Sequence, residues 1–295
     1  MKNEMVTIAL HTGKKEYYPL IENFLKSLLM CVTYPKLEIM LIESSGNNEI
    51  RSWFDKIDFD DYFINFSGVK TNIKKHTGVD IIKTVKCYDF APELEWFECY
   101  LQSIQLAIDD SIGKYFCFFA EDNQFTVRGD IINDYIKIIK KENNCKSFVH
   151  FFAQQKYKLF KSNNYFDKKS SNVEGVEYYK PKHKWDFWSL TLTKNYLDIG
   201  RLVKPTSETY ADQHRPVDDY SKRTKEAGYV RVYPKLSHGV WFHNNDRDKI
   251  ISSIMKNSNN PDYVYYKIFD KATIMQKIES YKLPLSTDDY KDQTN

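Results

Sequence analysis

The sequence predicts an α/β fold with a mostly parallel central sheet, a small antiparallel extension and C-terminal helices. Three observations predict it. The first half alternates short apolar runs with longer stretches whose apolar residues recur at helical spacing. The segment KYFCFFAEDN, Lys114 to Asn123, carries a continuous aromatic-rich run, the pattern of a strand covered on both faces. That run ends abruptly in Glu121 and Asp122, and carboxylates at the end of a buried strand can face the crevice where open α/β sheets bind ligands.

Taken in order, Val6 to Leu10 reads as a first strand and His11-Thr12-Gly13 as the turn after it. A helix follows with Pro19 in its first turn and Leu20, Ile21, Phe24, Leu25, Leu28 and Leu29 on one face. Pro35 resets the chain, and Leu37 to Ile42 gives a second strand that ends in the polar turn Glu43-Ser44-Ser45-Gly46-Asn47. An amphipathic helix then runs through Trp53 and Phe54. Residues 60–90 carry a weaker pattern, with a strand at Val79 to Val85. Pro92 opens a long helix with Leu94, Phe97, Leu101, Ile104 and Ile108 on one face, closed by Gly113 before the acidic strand. A helix at 129–142 follows.

Beyond Cys145 the pattern changes to short strands at Ser147 to Phe152, Tyr157 to Phe160 and Val176 to Tyr179, with Lys161 to Glu174 as a polar loop. Trp185 to Thr193 reads as strand, Asn195 to Leu202 as a short helix and 204–215 as loop. A helix at 216–227 ends at Gly228, strands follow near Val230 to Tyr233 and Val240 to Phe242, and helices occupy the C-terminal part. The expected organisation is one α/β domain over 1–250, with halves 1–125 and 126–250, followed by a helical segment and polar tail over 251–295.

Composition narrows the function. The 42% hydrophobic and 16% aromatic content marks a globular chain rather than a disordered one. A net charge of +3, dispersed along the chain, is too small to argue for nucleic acid or an anionic membrane as a partner. The five cysteines are odd in number and form no CxxC pair, which disfavours a disulfide framework or a zinc site and fits a reducing compartment. No run of 18 apolar residues is present, and the N-terminus lacks a long apolar leader. The expected location is cytoplasmic, with peripheral association at a membrane surface left open.

Four segments in this order, VTIALHTG, LEIMLIESSGN, KYFCFFAEDN and PVDDYSKRTKEAGYVRVYP with WFHN downstream, resemble the nucleotide-sugar glycosyltransferases of the A-type fold, especially family two. The resemblance spans roughly residues 5 to 245. It implies a Rossmann-like sheet, a nucleotide-sugar half followed by an acceptor half, and transfer of a sugar to a hydroxyl with inversion, in glycan or surface-polysaccharide synthesis. It implies a UDP-sugar as the favoured donor and Mn²⁺ or Mg²⁺ as cofactor. Thr12, Gly13, Glu43, Ser45 and Glu121 would contact the nucleotide. Asp122, Asn123 and His243 would hold the metal, with Asn123 standing where a third acid could be. Asp219 would be the catalytic base, supported by Asp218.

The chemistry of these residue types agrees with the roles. Oxygen ligands suit a hard divalent cation, and a carboxylate within reach of a hydroxyl can remove its proton. Trp185, Trp188 and Trp241 offer flat faces for sugar rings of the acceptor. Each position also has a simpler reading. Ser44, Ser45 and Asn47 are good helix caps, acids in a first helical turn favour the helix dipole, and tryptophans belong in cores. His11, His76, His150, His183 and His214 show no convincing partners in the sequence. Residues 92–111 lack the Asn-any-Gly or Arg-containing segment of many relatives. The rival readings are a sugar nucleotidyltransferase, disfavoured by the single glycine in HTGKKEYYP, a phage-type DNA-base glycosyltransferase, disfavoured by the near-neutral charge, and a non-catalytic nucleotide-sugar-binding module.

Overall fold

The apolar run Val6–Thr12 forms strand β1, buried along its whole length. It lies between two parallel neighbours, β2 (Lys36–Glu43) and β4 (Tyr115–Ala120), and β3 (Asp80–Cys87) extends the parallel set beyond β2. The computed structural model describes residues 4–12, 17–44, 48–67, 70–88, 96–121, 123–125, 130–151, 170–181, 189–201, 215–234 and 241–243. Helix α1 (Tyr18–Cys31) connects β1 to β2, with Pro19 at its start as the sequence predicts. Helices α2 (Asn48–Lys56), α3 (Phe59–Ser67) and α4 (Ile73–Thr77) connect β2 to β3. Of the weakly patterned stretch, the described residues between 60 and 77 are mostly helical, the strand expected at Val79 to Val85 is β3, and Gly78, at φ 77°, closes α4 in the left-handed conformation.

Helix α5 (Trp96–Asp110) leads into β4, and a three-residue strand β5 (Asn123–Phe125) follows it. Helix α6 (Ile131–Lys141) comes next, and the chain leaves it through left-handed backbone at Asn143, Asn144 and Cys145, with φ of 43°, 53° and 67°. The second half supplies β6 (Ser147–His150), β7 (Ser171–Val173), β8 (Val176–Tyr179), β9 (Ser189–Leu192), helix α7 (Thr193–Ile199), helix α8 (Arg215–Glu226), β10 (Val230–Pro234) and β11 (Trp241–His243). The expected strand at 157–160 and the helices beyond 250 lie outside the described residues. Of the segment expected to be loop, 171–173 is strand β7. It joins β8 through Glu174 and Gly175, both at positive φ, as a two-residue type I′ hairpin requires.

Among the described residues nine strands form one sheet in the order β3-β2-β1-β4-β9-β6-β10-β8-β7, and β5 pairs with β11 in a separate ribbon. The mostly parallel sheet expected from the sequence is in fact mixed. The pairs β1–β2, β2–β3, β1–β4 and β6–β10 are parallel, whereas β4–β9, β6–β9, β8–β10 and β7–β8 are antiparallel. The physical reason is connectivity. A parallel neighbour needs a crossover, which the helices of the first half provide, whereas the tight β7–β8 turn can only reverse the chain.

Helices cover both faces. One core gathers Ile8, Leu10, Ile39, Leu41, Cys117 and Phe119 under α1, α2, α3 and α6. The other gathers Ala9, Met40, Ile42, Phe116, Phe118 and Phe148 under α5, α7 and α8. Near the amino end of the parallel set a buried carboxylate ties the strands together. Glu38 accepts from Thr7 Oγ1, from Thr84 Oγ1 at 2.7 Å and from the Ile112 N–H at 3.1 Å. Thr7 Oγ1 in turn accepts from the Gly113 N–H at 3.0 Å.

Candidate functional site

The carboxyl edge of the sheet is where the polar residues collect. Strands β1, β2, β3 and β4 all point to it, and so do β6 and β10, because β4 and β6 flank β9 and are each antiparallel to it. Thr12 and Glu43, the last residues of β1 and β2, are registered side by side, and His11 is registered with Ala120 at the end of β4. Thr12, Glu43 and Glu121 are thus brought together at the ends of three adjacent strands. All three are buried. The ladder continues past the strand ends, from the Ser44 N–H to the Thr12 carbonyl at 3.4 Å and from the Tyr88 N–H to the Glu43 carbonyl at 3.3 Å.

Strand alternation sets the directions of these groups. Thr12 follows Leu10 and Ile8 toward the α1 face, and its Oγ1 is buried without a hydrogen-bond partner among the described residues. Buried hydroxyls are normally paired, so such an atom at a crevice is a position where a ligand oxygen or amide fits. His11 turns to the opposite face. Its Nε2 lies 2.9 Å from Ser44 Oγ, and its ring meets Tyr100 edge-on with centroids 4.8 Å apart. The sequence gives His11 no partner, because Ser44 and Tyr100 come from other elements. The local signal is that His11 follows directly on the apolar run Ile8-Ala9-Leu10.

Beyond Glu121 the chain turns at once into β5. Asn123 is buried, and its Nδ2 donates to the Ala120 carbonyl at 2.6 Å, which directs the amide oxygen away from that carbonyl. Phe125 anchors the other end of the strand among Phe24, Phe119 and Phe151, and its N–H donates to Ser27 Oγ of α1 at 3.0 Å. Strand β11 pairs with β5 so that His243 is registered with Asn123 and Trp241 with Phe125. Two of the predicted metal-site positions, 120 residues apart in sequence, are therefore backbone neighbours. Among the described residues no group of three or more His, Cys, Asp and Glu side chains is arranged to hold a metal ion. The donors that are described here, a carboxylate and an amide on one strand end, are oxygen donors of the kind Mg²⁺ and Mn²⁺ accept.

Helix α8 carries Asp218 and Asp219 in its amino-terminal half. After Glu226 the chain turns at Ala227 and at Gly228, whose φ is 76°, and β10 begins at Val230, registered with Ser147, the first residue of β6. The carboxyl end of α8 thus lies at the amino edge of the sheet. The helix packs on the second face through Tyr220, whose ring lies 6.2 Å from that of Tyr196. Its twelve residues rise about 18 Å at 1.5 Å each, close to the about 17 Å of the five-residue strand that follows at about 3.3 Å each. The amino-terminal part of α8, with its two acids, therefore returns toward the carboxyl edge. Gly13, Ser45, Asp122, Trp185 and Trp188 lie outside the described residues. Asp218, Asp219, Trp241 and His243 are located by their backbone.

No protein-family model matches the chain, and no curated protein matches it. Solved structures are similar to it at low identity. S. aureus TarS 1-349 aligns with a TM-score of 0.49 and 9% identity, covering 93% of this chain and 69% of that one. The same TarS 1-349 in complex with UDP gives a TM-score of 0.46 and 10% identity over 94% of this chain and 70% of that one. The mannosyltransferase PcManGT from Pyrobaculum calidifontis, in complex with GDP-Man and Mn²⁺, gives 0.47 and 14% over 80% of this chain and 56% of that one.

Proposed function

We propose that the chain is a glycosyltransferase that moves a sugar from a nucleotide-diphosphate sugar, a UDP-sugar by preference, to a hydroxyl of a glycan or other acceptor. One observation carries the reading. Thr12, Glu43 and Glu121, spread over more than 100 residues of sequence, share the carboxyl edge of one sheet, the edge at which open α/β sheets hold their ligands. Thr12 Oγ1 and the Glu43 carboxylate sit at the ends of adjacent strands, suited to ribose hydroxyls and a base N–H, and Gly13 and Ser45 would add further contacts to the nucleotide. Asp122, Asn123 and His243, with Glu121 beside them, would hold Mn²⁺ or Mg²⁺. When bound, that ion supplies charge to offset the departing nucleoside diphosphate.

Asp219 takes the proton from the acceptor hydroxyl as the new glycosidic bond forms, and Asp218 orients it. Attack on the face opposite the leaving group inverts the anomeric carbon. Trp185, Trp188 and Trp241 stack against the acceptor. The test is donor hydrolysis and transfer over a panel of nucleotide sugars with Mn²⁺, comparing wild type with Asp219→Asn and Asp122→Ala. Loss of a positioned base lowers turnover by about 10²–10⁴-fold. Wild-type turnover in both variants overturns the assignment of these residues. Failure of every nucleoside diphosphate to raise the unfolding temperature overturns the function itself.

A further inference from the structure

We propose that Arg231, His150, Tyr233 and Ser189 form a binding station for an oxyanion, phosphoryl or carboxyl, carried by the acceptor. The inference rests on the glycosyltransferase reading for the word acceptor and on independent geometry for the station. Four strand residues from β9, β6 and β10 come together on the α8 side of the sheet. His150 is registered directly opposite Ser189, so the two side chains share a face. Arg231 is registered with Phe148, which places Arg231 and Tyr233 on that same face by strand alternation. The His150 ring stacks on Tyr233 with centroids 4.6 Å apart and planes 14° from parallel. The Arg231 guanidinium lies 5.8 Å from the Tyr233 centroid, and its Nη1 donates to Tyr233 Oη at 3.5 Å.

Burial makes this cluster unusual. His150 is 0% exposed, Ser189 and Tyr233 1%, and Arg231 6%. The residues alternating with them toward the other face, Val149, Leu190 and Val232, are apolar core. On the α8 face the lining changes from Phe148 and Tyr196 to His150, Ser189 and Tyr233 as the strands approach the carboxyl edge. Apolar packing alone would continue the lining of Phe148 and Tyr196, whereas a guanidinium gives up hydration when it is buried. Ser189 Oγ is the independent sign of a ligand. It is fully buried and has no hydrogen-bond partner among the described residues, while the Ser189 carbonyl is already satisfied by Tyr196 Oη at 3.0 Å.

The chemistry of the group follows from its donors. A guanidinium fork, a hydroxyl and an imidazole together match the oxygens of a phosphoryl or carboxyl group. The position separates it from the donor's diphosphate. The acidic strand end belongs to β4, and Arg231 is on β10, three strands away. At about 4.8 Å per strand that is about 14 Å, farther than a diphosphate reaches. The amino-terminal half of α8, with the proposed base, lies on the same face of the sheet.

The test uses the full chain held with saturating UDP and Mn²⁺. Inorganic phosphate and acetate are titrated in separate arms, each against chloride at matched ionic strength, and the unfolding temperature is read. The expected result is a further rise with phosphate or acetate beyond chloride, the responding anion identifying the phosphoryl or carboxyl class. Arg231→Leu and Ser189→Ala should each raise the anion concentration needed by about tenfold or more, the loss of one charge-assisted or buried hydrogen bond, with the response to UDP unchanged. Should Arg231→Leu not fold, Ser189→Ala decides, because it removes a single oxygen. No response beyond chloride, a response abolished by UDP, or one unchanged in the folded variants overturns the station. A chain that ignores UDP yet keeps a variant-sensitive anion response retains the station and overturns the glycosyltransferase reading.

Discussion

Gly113 shows how tightly single residues are specified away from the candidate site. A Cβ built there would sit 2.4 Å from Thr7 Oγ1, 2.5 Å from the Thr7 nitrogen and 2.7 Å from the Tyr115 carbonyl oxygen. Two of those atoms are backbone and cannot move aside, and the third is the hydroxyl that links Gly113 to Glu38. Gly113→Ala should therefore destabilise the fold by about 1–3 kcal/mol, the range for forced overpacking, as measured by denaturant unfolding. A change below about 0.5 kcal/mol, the ordinary effect of a surface substitution, would show that the strands yield more easily than this packing implies. The sequence marks Gly113 only as the end of a helix, because its close neighbour Thr7 is more than 100 residues away. Residues next to one another in the chain are more legible. Thr12, Glu43 and Glu121 each stand where an apolar run stops, and the structure sets those stops side by side. The partners of His11 and His150 were not legible, because rings and hydroxyls from separate strands and helices supply them.

Among the elements, those with an unbroken apolar stripe or run are the ones the sequence locates best. Strand β1, helix α1 and strand β4 fall close to where periodicity puts them. Strand β5 escaped notice because its three residues follow an acidic pair, and only pairing with β11, over 100 residues later, makes it a strand. The mixed character of the sheet escaped for a similar reason. Direction depends on how strands connect, and the connections of the second half carry little periodicity. The ribbon of β5 and β11 hangs from α1 through Ser27, whose Oγ donates to the Phe24 carbonyl at 2.8 Å while accepting from the Phe125 N–H. Ser27→Ala leaves that buried N–H unsatisfied, a cost of about 1–3 kcal/mol. It should also loosen the ribbon, so the proposed Mn²⁺-assisted transfer should fall by more than stability alone predicts. Unchanged stability and activity would mean that the ribbon holds without this bond.

For the molecule as a whole, buried phenols set the behaviour at high pH. Burial is the leading cause that raises Tyr34 and Tyr229 to about 12. The nearby Glu4 carboxylate adds to it at Tyr34, and Asp198 adds to it at Tyr229. Burial also raises Tyr115, Tyr178, Tyr196 and Tyr220 above the ordinary phenol value near 10. The unfolded chain thus gives up these protons more readily than the folded one. The associated stability is complete below pH about 10 and is lost as the pH rises from there through the folded values. Denaturant midpoints should fall steeply over that window, with the phenolate absorbance rising together with unfolding, and Tyr34→Phe should shallow the fall. Phenols that titrate freely well before the chain unfolds would contradict their burial.

The sheet is also divided by its connectivity. Residues 6–120 build β3-β2-β1-β4 and residues 147–234 build the remainder, so two consecutive lengths of chain meet along one line. That line is short. Among the described residues it consists of two registered pairs, Tyr115 with Leu192 and Phe116 with Thr191, reinforced where Thr193 donates from its N–H to the Lys114 carbonyl at 2.9 Å and from its hydroxyl to the Gly113 carbonyl at 2.6 Å. Thr12 and Glu43 belong to one length, and α8 and Arg231 to the other. Any molecule gripped by both acts as a clasp across the join, so occupancy and cohesion of the two lengths rise and fall together.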